Sequence, residues 1–149
     1  MKFGSEIIIN CPQEKAAALW ADPQYFAEHQ DGFLRKKLIE GEAGEVGAVS
    51  EIFFKQGKGE MKLTETVVAN NLPHSFEAFY HHKHMDNTLI TSFTKINDEQ
   101  TRYAFEGEYV AVRGFMPKLM MFLVPSMFRK QPEKWMENFK RFAERKAGE

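Results

Sequence analysis

The sequence has a single cysteine, Cys11, so no disulfide can form within the chain and no cysteine-built zinc cluster can assemble. That suits a reducing compartment, and a cytoplasmic location is expected. Net charge is nearly absent: 20 basic residues meet 21 acidic ones, interspersed rather than blocked. Such a balance gives no electrostatic reason to seek nucleic acid, and no nucleic-acid partner is expected. Long apolar runs are missing too. The opening, Met1 to Glu6, places a carboxylate before the short run Ile7 to Ile9, unlike a signal peptide. The most apolar stretch, Phe115 to Phe128, carries Lys118 and is interrupted by Pro117 and Pro125. A span needs roughly 20 apolar residues, so no membrane crossing is expected. Also missing are a Ser–His–Asp motif, a phosphate loop and a dinucleotide fingerprint, and no cofactor is expected.

Aromatic and thioether surface is plentiful: 14 Phe, 4 Tyr, 2 Trp and 8 Met. This is either a well-filled core or the flexible lining of a cavity that adapts to a guest. The length, 149 residues, fits one domain spanning residues 1–149 with a core of its own.

Periodicity orders the chain. Glu6–Asn10 alternates as a strand with Ile7 and Ile9 on one face. Pro12 suits a first helical turn, Gln13 to Trp20 is rich in helix formers, and Asp22-Pro23 stops that helix and starts a second short one. From Phe33 to Tyr109 the period is two, predicting strands at Phe33–Glu40, Ala48–Lys55, Glu60–Ala69, Ser75–His82, Thr88–Ile96 and Arg102–Val110. The connections are too short for parallel crossovers, so this is an antiparallel meander. Beyond Gly114 the helical period returns, with Trp135, Phe139 and Phe142 at i, i+4 and i+7. Pro125 and Pro132 predict a kinked or segmented helix. Its apolar stripe must be buried, and the sheet is the large surface on offer. The fold class is therefore α+β.

Three strands can be oriented. Met61, Leu63, Glu65, Val67 and Ala69 share a face; so do Phe76, Ala78, Tyr80 and His82; so do Tyr103, Phe105, Gly107 and Tyr109. Setting Ala69 opposite Phe76 brings Val67 to Ala78, Glu65 to Tyr80 and Leu63 to His82, keeping the apolar faces together. A carboxylate, a phenol and an imidazole then share one largely apolar surface. Glu65 there must be paired, hydrated or protonated. It either satisfies a neighbour, or anchors the polar end of a ligand, or works as acid and base with His82 or Tyr80. His81 and His82 point to opposite faces, and His82 with His84 lacks a third ligand, so no metal is expected. Cys11 reads as a small packing residue. The Met-rich run Gly114 to Leu123 is a buried helix start, a lip over a cavity mouth, or a surface for a partner such as the second copy in a homodimer.

Certain motifs carry a resemblance. Ile7-x-Ile9-x-Cys11-Pro12-x-Glu14 with Asp22-Pro23, Met61-x-Leu63-Thr64-Glu65-Thr66-Val67 with Leu72-Pro73, and Phe128-Arg129-Lys130-Gln131 with Phe139 to Glu144 resemble the Bet v 1-like (START-like, SRPBCC) superfamily. Within it the chain is similar to the bacterial polyketide cyclase/dehydrase and lipid transport branch. The resemblance implies a helix-grip fold: a seven-stranded curved antiparallel sheet around a long C-terminal helix, with two short helices after the first strand. It implies a deep cavity for a small hydrophobic molecule and supplies no shared catalytic set. The expected lining from the sheet is Met61, Leu63, Glu65, Phe76, Tyr80 and His82, together with Tyr103, Phe105 and Tyr109. From the helical segment come Met120, Phe128 and Trp135. Three functions stay open: binding or carriage of the guest, a cyclase, dehydratase or hydrolase using Glu65 with His82 or Tyr80, or an accessory protein working through the Met-rich surface.

Overall fold

The computed structural model describes residues 1–149. Strand β1 (Lys2–Ile9) leads into α1 (Gln13–Ala21), a 3-10 turn (Pro23–Tyr25) and α2 (Phe26–His29). Six strands come next: β2 (Phe33–Glu40), β3 (Val49–Gln56), β4 (Gly59–Asn71), β5 (Ser75–His81), β6 (Met85–Asn97) and β7 (Gln100–Val112). Two helices, α3 (Phe115–Leu123) and α4 (Met127–Ala147), end the chain. All seven strands form one antiparallel sheet in the order β1-β7-β6-β5-β4-β3-β2. The meander is therefore uninterrupted, and β1 closes one edge by pairing with the last strand.

The strands outrun their sequence signals where pairing supports them. β1 begins at Lys2 rather than Glu6 because Lys2 pairs with Glu108 and the ladder runs unbroken to Ile9. His84 to Asn87 reads as a turn in sequence, yet Met85 to Asn87 extend β6, with Asn87 between Tyr80 and Tyr109. Partners on both sides override a weak local preference. The hairpin between β4 and β5 keeps Val67 opposite Ala78 and Glu65 opposite Tyr80. Beyond Val67 the expected register fails: Ala69 meets Glu77, and Asn70 meets Phe76. A bulge between Val67 and Ala69 supplies the extra residue and shifts the pairs nearer the turn by one.

The C-terminal segment is divided, as its prolines predict, by a break between Leu123 and Met127. Pro132 lies inside α4 without ending it. Phe139, Phe142, Ala143 and Met136 are buried against Ile9, Cys11, Ala16, Ala17, Phe93, Tyr103 and Phe105. Phe139 is wholly covered, and burying one such ring contributes about 1.5–3 kcal/mol. Polar ties fasten the same half of the helix: Lys140 Nζ donates to the Ile8 carbonyl at 2.8 Å, and the Asn10 amide donates to Glu144 at 2.8 Å. Thr101 Oγ1, fully buried, donates to the Cys11 carbonyl at 2.7 Å and pins the loop before α1.

Candidate functional site

The solid core occupies only one end of the space under α4. The helix packs extensively on β1, α1 and α2, and not on β4 or β5. Its earlier turns cross the sheet's concave face on two aromatic piers. Trp135 stacks on Phe54 of β3 at 5.2 Å, and Phe128 meets Tyr109 of β7 edge-on at 5.7 Å. On this side of the sheet the inward residues Met61, Leu63 and Tyr80 are only partly buried. An inward apolar residue can stay partly open only if the layer above does not close over it. The sheet face over Met61 and Leu63 is thus an open cleft that α4 does not cover.

The register also orients the strands that sequence alone leaves undecided. Ser50, Ile52 and Phe54 point inward with Glu65, Leu63 and Met61 opposite them. Lys36 and Leu38 point inward from β2 opposite Ile52 and Ser50. Asn87, Leu89 and Thr91 do so from β6 opposite Tyr80, Ala78 and Phe76. Alternation in β2 is blurred because its inward positions include a lysine and its outward face carries Leu34 and Ile39. Sequence reasoning therefore missed Lys36.

Lys36 completes the polar group inside the cleft. Its Nζ lies 2.8 Å from Glu65 Oε1, and Tyr80 Oη donates to Glu65 Oε2 at 2.7 Å. Glu65 is only 5% exposed, with both carboxylate oxygens taken. A buried carboxylate would be costly without partners; here a cation and a phenol replace its lost water. Burial, and then the neighbouring Glu65 charge, push the Tyr80 phenol well above its ordinary pKa, so it keeps its proton and remains a donor. The Lys36 ammonium also sits 5.4 Å from the Phe26 ring centre. The arrangement holds one positive and one negative group, paired, on a face shared by apolar Met61 and Leu63 and polar Ser50 and Asn87.

The other sequence candidates are distributed around this group. Tyr103 and Phe105 belong to the packed core, and Phe76 packs edge-on to Trp20 at 5.5 Å. Met61, Tyr109, Met120, Phe128 and Trp135 are partly buried. His82 does not join Glu65 in a hydrogen bond: its Nδ1 accepts from the His84 amide at 3.2 Å, and the two rings lie 5.4 Å apart. Burial, and then the cationic neighbours, depress the His82 pKa. His81 faces the other way, 2.7 Å from Asp86. Arg113 clamps Asp86 through both carboxylate oxygens at 2.7 and 3.0 Å and donates to the His82 and Lys83 carbonyls. These bonds bring Asp86 down to about 2.

Two buried polar atoms have no partner: His29 Nε2 and Trp135 Nε1. His29 is wedged among Phe26, Phe139 and Phe142, and burial brings its pKa down to about 4. Two hollows are present. One, of about 480 Å³, runs over Lys2, Phe3, Thr88, Glu106, Glu108 and Arg129; the other, of about 490 Å³, runs over Glu60, Lys62, Thr64 and His81 to His84, with Met61 in its wall. Their walls are largely polar, which does not suit an apolar guest.

No family model matches the sequence, and no curated protein matches it either. Solved structures do match in shape. ZhuI aromatase/cyclase from Streptomyces sp. R1128 superposes with a TM-score of 0.80 at 9% identity, covering 97% of this chain and 94% of that one. A conserved protein from Geobacillus kaustophilus gives 0.76 at 12% identity, covering 96% and 95%. Norcoclaurine synthase from Thalictrum flavum, solved with dopamine and hydroxybenzaldehyde, gives 0.68 at 11% identity, covering 95% and 85%. The chain has the Bet v 1-like helix-grip fold, shared over nearly its whole length.

Proposed function

We propose that the protein binds a small, mainly apolar molecule in the cleft between the concave sheet face and the start of α4. One observation carries this reading: Met61 and Leu63 face inward yet stay partly open, while α4 meets this side of the sheet through the Phe54–Trp135 and Tyr109–Phe128 contacts. Lys36, Tyr80 and Glu65 give such a guest one polar end to orient against, the usual economy of a ligand pocket. The solved relatives named for cyclase chemistry and for an aromatic amine and aldehyde support a guest of this general kind. The buried thiol of Cys11 suits a reducing cytoplasm.

Binding is favoured over chemistry by the state of Glu65. Both of its oxygens are occupied by Lys36 and Tyr80, and the phenol holds its proton tightly, so neither carboxylate oxygen is free to reach a guest. Native mass spectrometry of freshly purified protein tests the reading. A non-covalent adduct of discrete mass, lost on extraction with organic solvent, is expected. A bare chain that also takes up no neutral apolar probe contradicts it.

A further inference from the structure

Helix α3 is built from Phe115-Met116-Pro117-Lys118-Leu119-Met120-Met121-Phe122-Leu123, and none of its residues is buried. Phe115 is 76% exposed, Phe122 83%, and Met116 and Leu123 are also largely open. The apolar run continues through Val124 and Met127, also exposed. No strand or other helix packs extensively on it. An exposed apolar patch of this kind marks a surface that meets something.

Charge says what. From Tyr109 to Pro132 there is no Asp or Glu, while Arg113, Lys118, Arg129 and Lys130 are all cationic. The whole chain carries −1, so positive charge is gathered on this segment and the remainder is net acidic. Lys118, Arg129 and Lys130 are exposed and take part in none of the ion pairs of the chain. A second copy docking here about a two-fold axis would set these cations against their own images, which is repulsive. An anionic lipid surface satisfies both features, taking the rings among its acyl chains and the cations among its headgroups.

We propose that α3 and the first turn of α4 dock the protein on an anionic bilayer, at the mouth of the cleft. The nine-residue helix is about 14 Å long, enough to lie in the interface and too short to cross. Arg113, two residues before it, is tied to the His82 and Lys83 carbonyls and so starts the helix beside the turn between β5 and β6. A guest leaving the cleft therefore passes the helix that touches the lipid. This part of the proposal rests on the reading of the cleft as an apolar-ligand site.

Flotation with phosphatidylcholine vesicles, with and without phosphatidylglycerol, tests it on the full chain without added guest. The protein should float with the anionic vesicles, remain behind with phosphatidylcholine alone, and be released by high salt. Arg129→Gln with Lys130→Gln should weaken binding roughly thirtyfold, at the contribution usual for two surface cations. Phe122→Asp with Leu123→Asp should abolish flotation while leaving the thermal midpoint unchanged, which shows that the variant is folded. Absence of flotation by the wild type, or equal flotation by both variants, overturns the proposal. So does a dimer in sedimentation that Phe122→Asp dissolves, because a second copy then covers the patch. Uptake of a neutral apolar probe in lipid-free buffer is read separately. Uptake without flotation sinks the docking alone, and flotation without uptake sinks the cleft alone.

Discussion

His29 carries the clearest pH dependence of any single residue. It is 3% exposed among three phenylalanine rings, with Nε2 unpartnered, and its pKa is brought from 6.5 to about 4. The unfolded chain therefore takes up a proton below pH 6.5 that the folded chain refuses until near pH 4. Stability should be full above pH 6.5 and fall as pH drops towards 4, by a total of about 3 kcal/mol. Urea unfolding at several pH values measures the slope, and His29→Phe should remove most of it. The Lys36–Glu65–Tyr80 group predicts coupling instead. Glu65→Gln should cost about 2 kcal/mol by leaving the ammonium without its counter-charge, as should Lys36→Met by stranding the carboxylate. The double variant should lose less than the two added together, a shortfall visible in a denaturation cycle. Additive losses would mean that the pair is not formed. The alternation of β4 and β5 made Glu65 and Tyr80 legible as neighbours. Lys36 was not, because a lysine on a strand reads as solvent-facing until a buried carboxylate is known to wait for it.

At the scale of elements, the close approach of β1, β6 and β7 makes a sharp demand on Gly107. A Cβ built there would strike the Phe3 ring and lie 2.8 Å from the Thr88 carbonyl. The ring could turn aside, but the carbonyl belongs to the ladder and cannot. Gly107→Ala should therefore destabilise by about 1–3 kcal/mol, seen as a lower urea midpoint with an unchanged slope. Element order and antiparallel pairing were readable in the sequence because period two switches to period 3.6 at Gly114 and the connections are short. The bulge after Val67 was not, since a bulge adds one residue without changing composition, and Val68 continues an apolar run. Sequence also left the Met-rich run undecided between core and lip. Its residues are apolar in either place, and only the absence of a packing partner shows that α3 faces water.

The whole molecule exposes more surface than its mass requires. A folded chain of 17.3 kDa should expose about 7,800 Å², whereas this one exposes 8793 Å². The exposed apolar residues of α3, Phe115, Met116, Phe122 and Leu123, contribute to the difference. One half of the interior, around Phe93, Tyr103 and Phe139, is closed and carries the stability. The other side, around Met61 and Leu63, is only partly buried and is the proposed binding face. Trp135 stands at the border between them, stacked on Phe54, while Trp20 packs against Phe76 and Phe93. Replacing Trp20 by Phe leaves Trp135 as the sole indole, and energy transfer from it to N-phenylnaphthylamine is the most direct measure of the cleft. Saturable transfer with one probe per chain, abolished when Leu63→Phe fills the floor of the same Trp20→Phe protein, is the predicted result. No transfer at any probe concentration, or transfer that never saturates, would contradict the account.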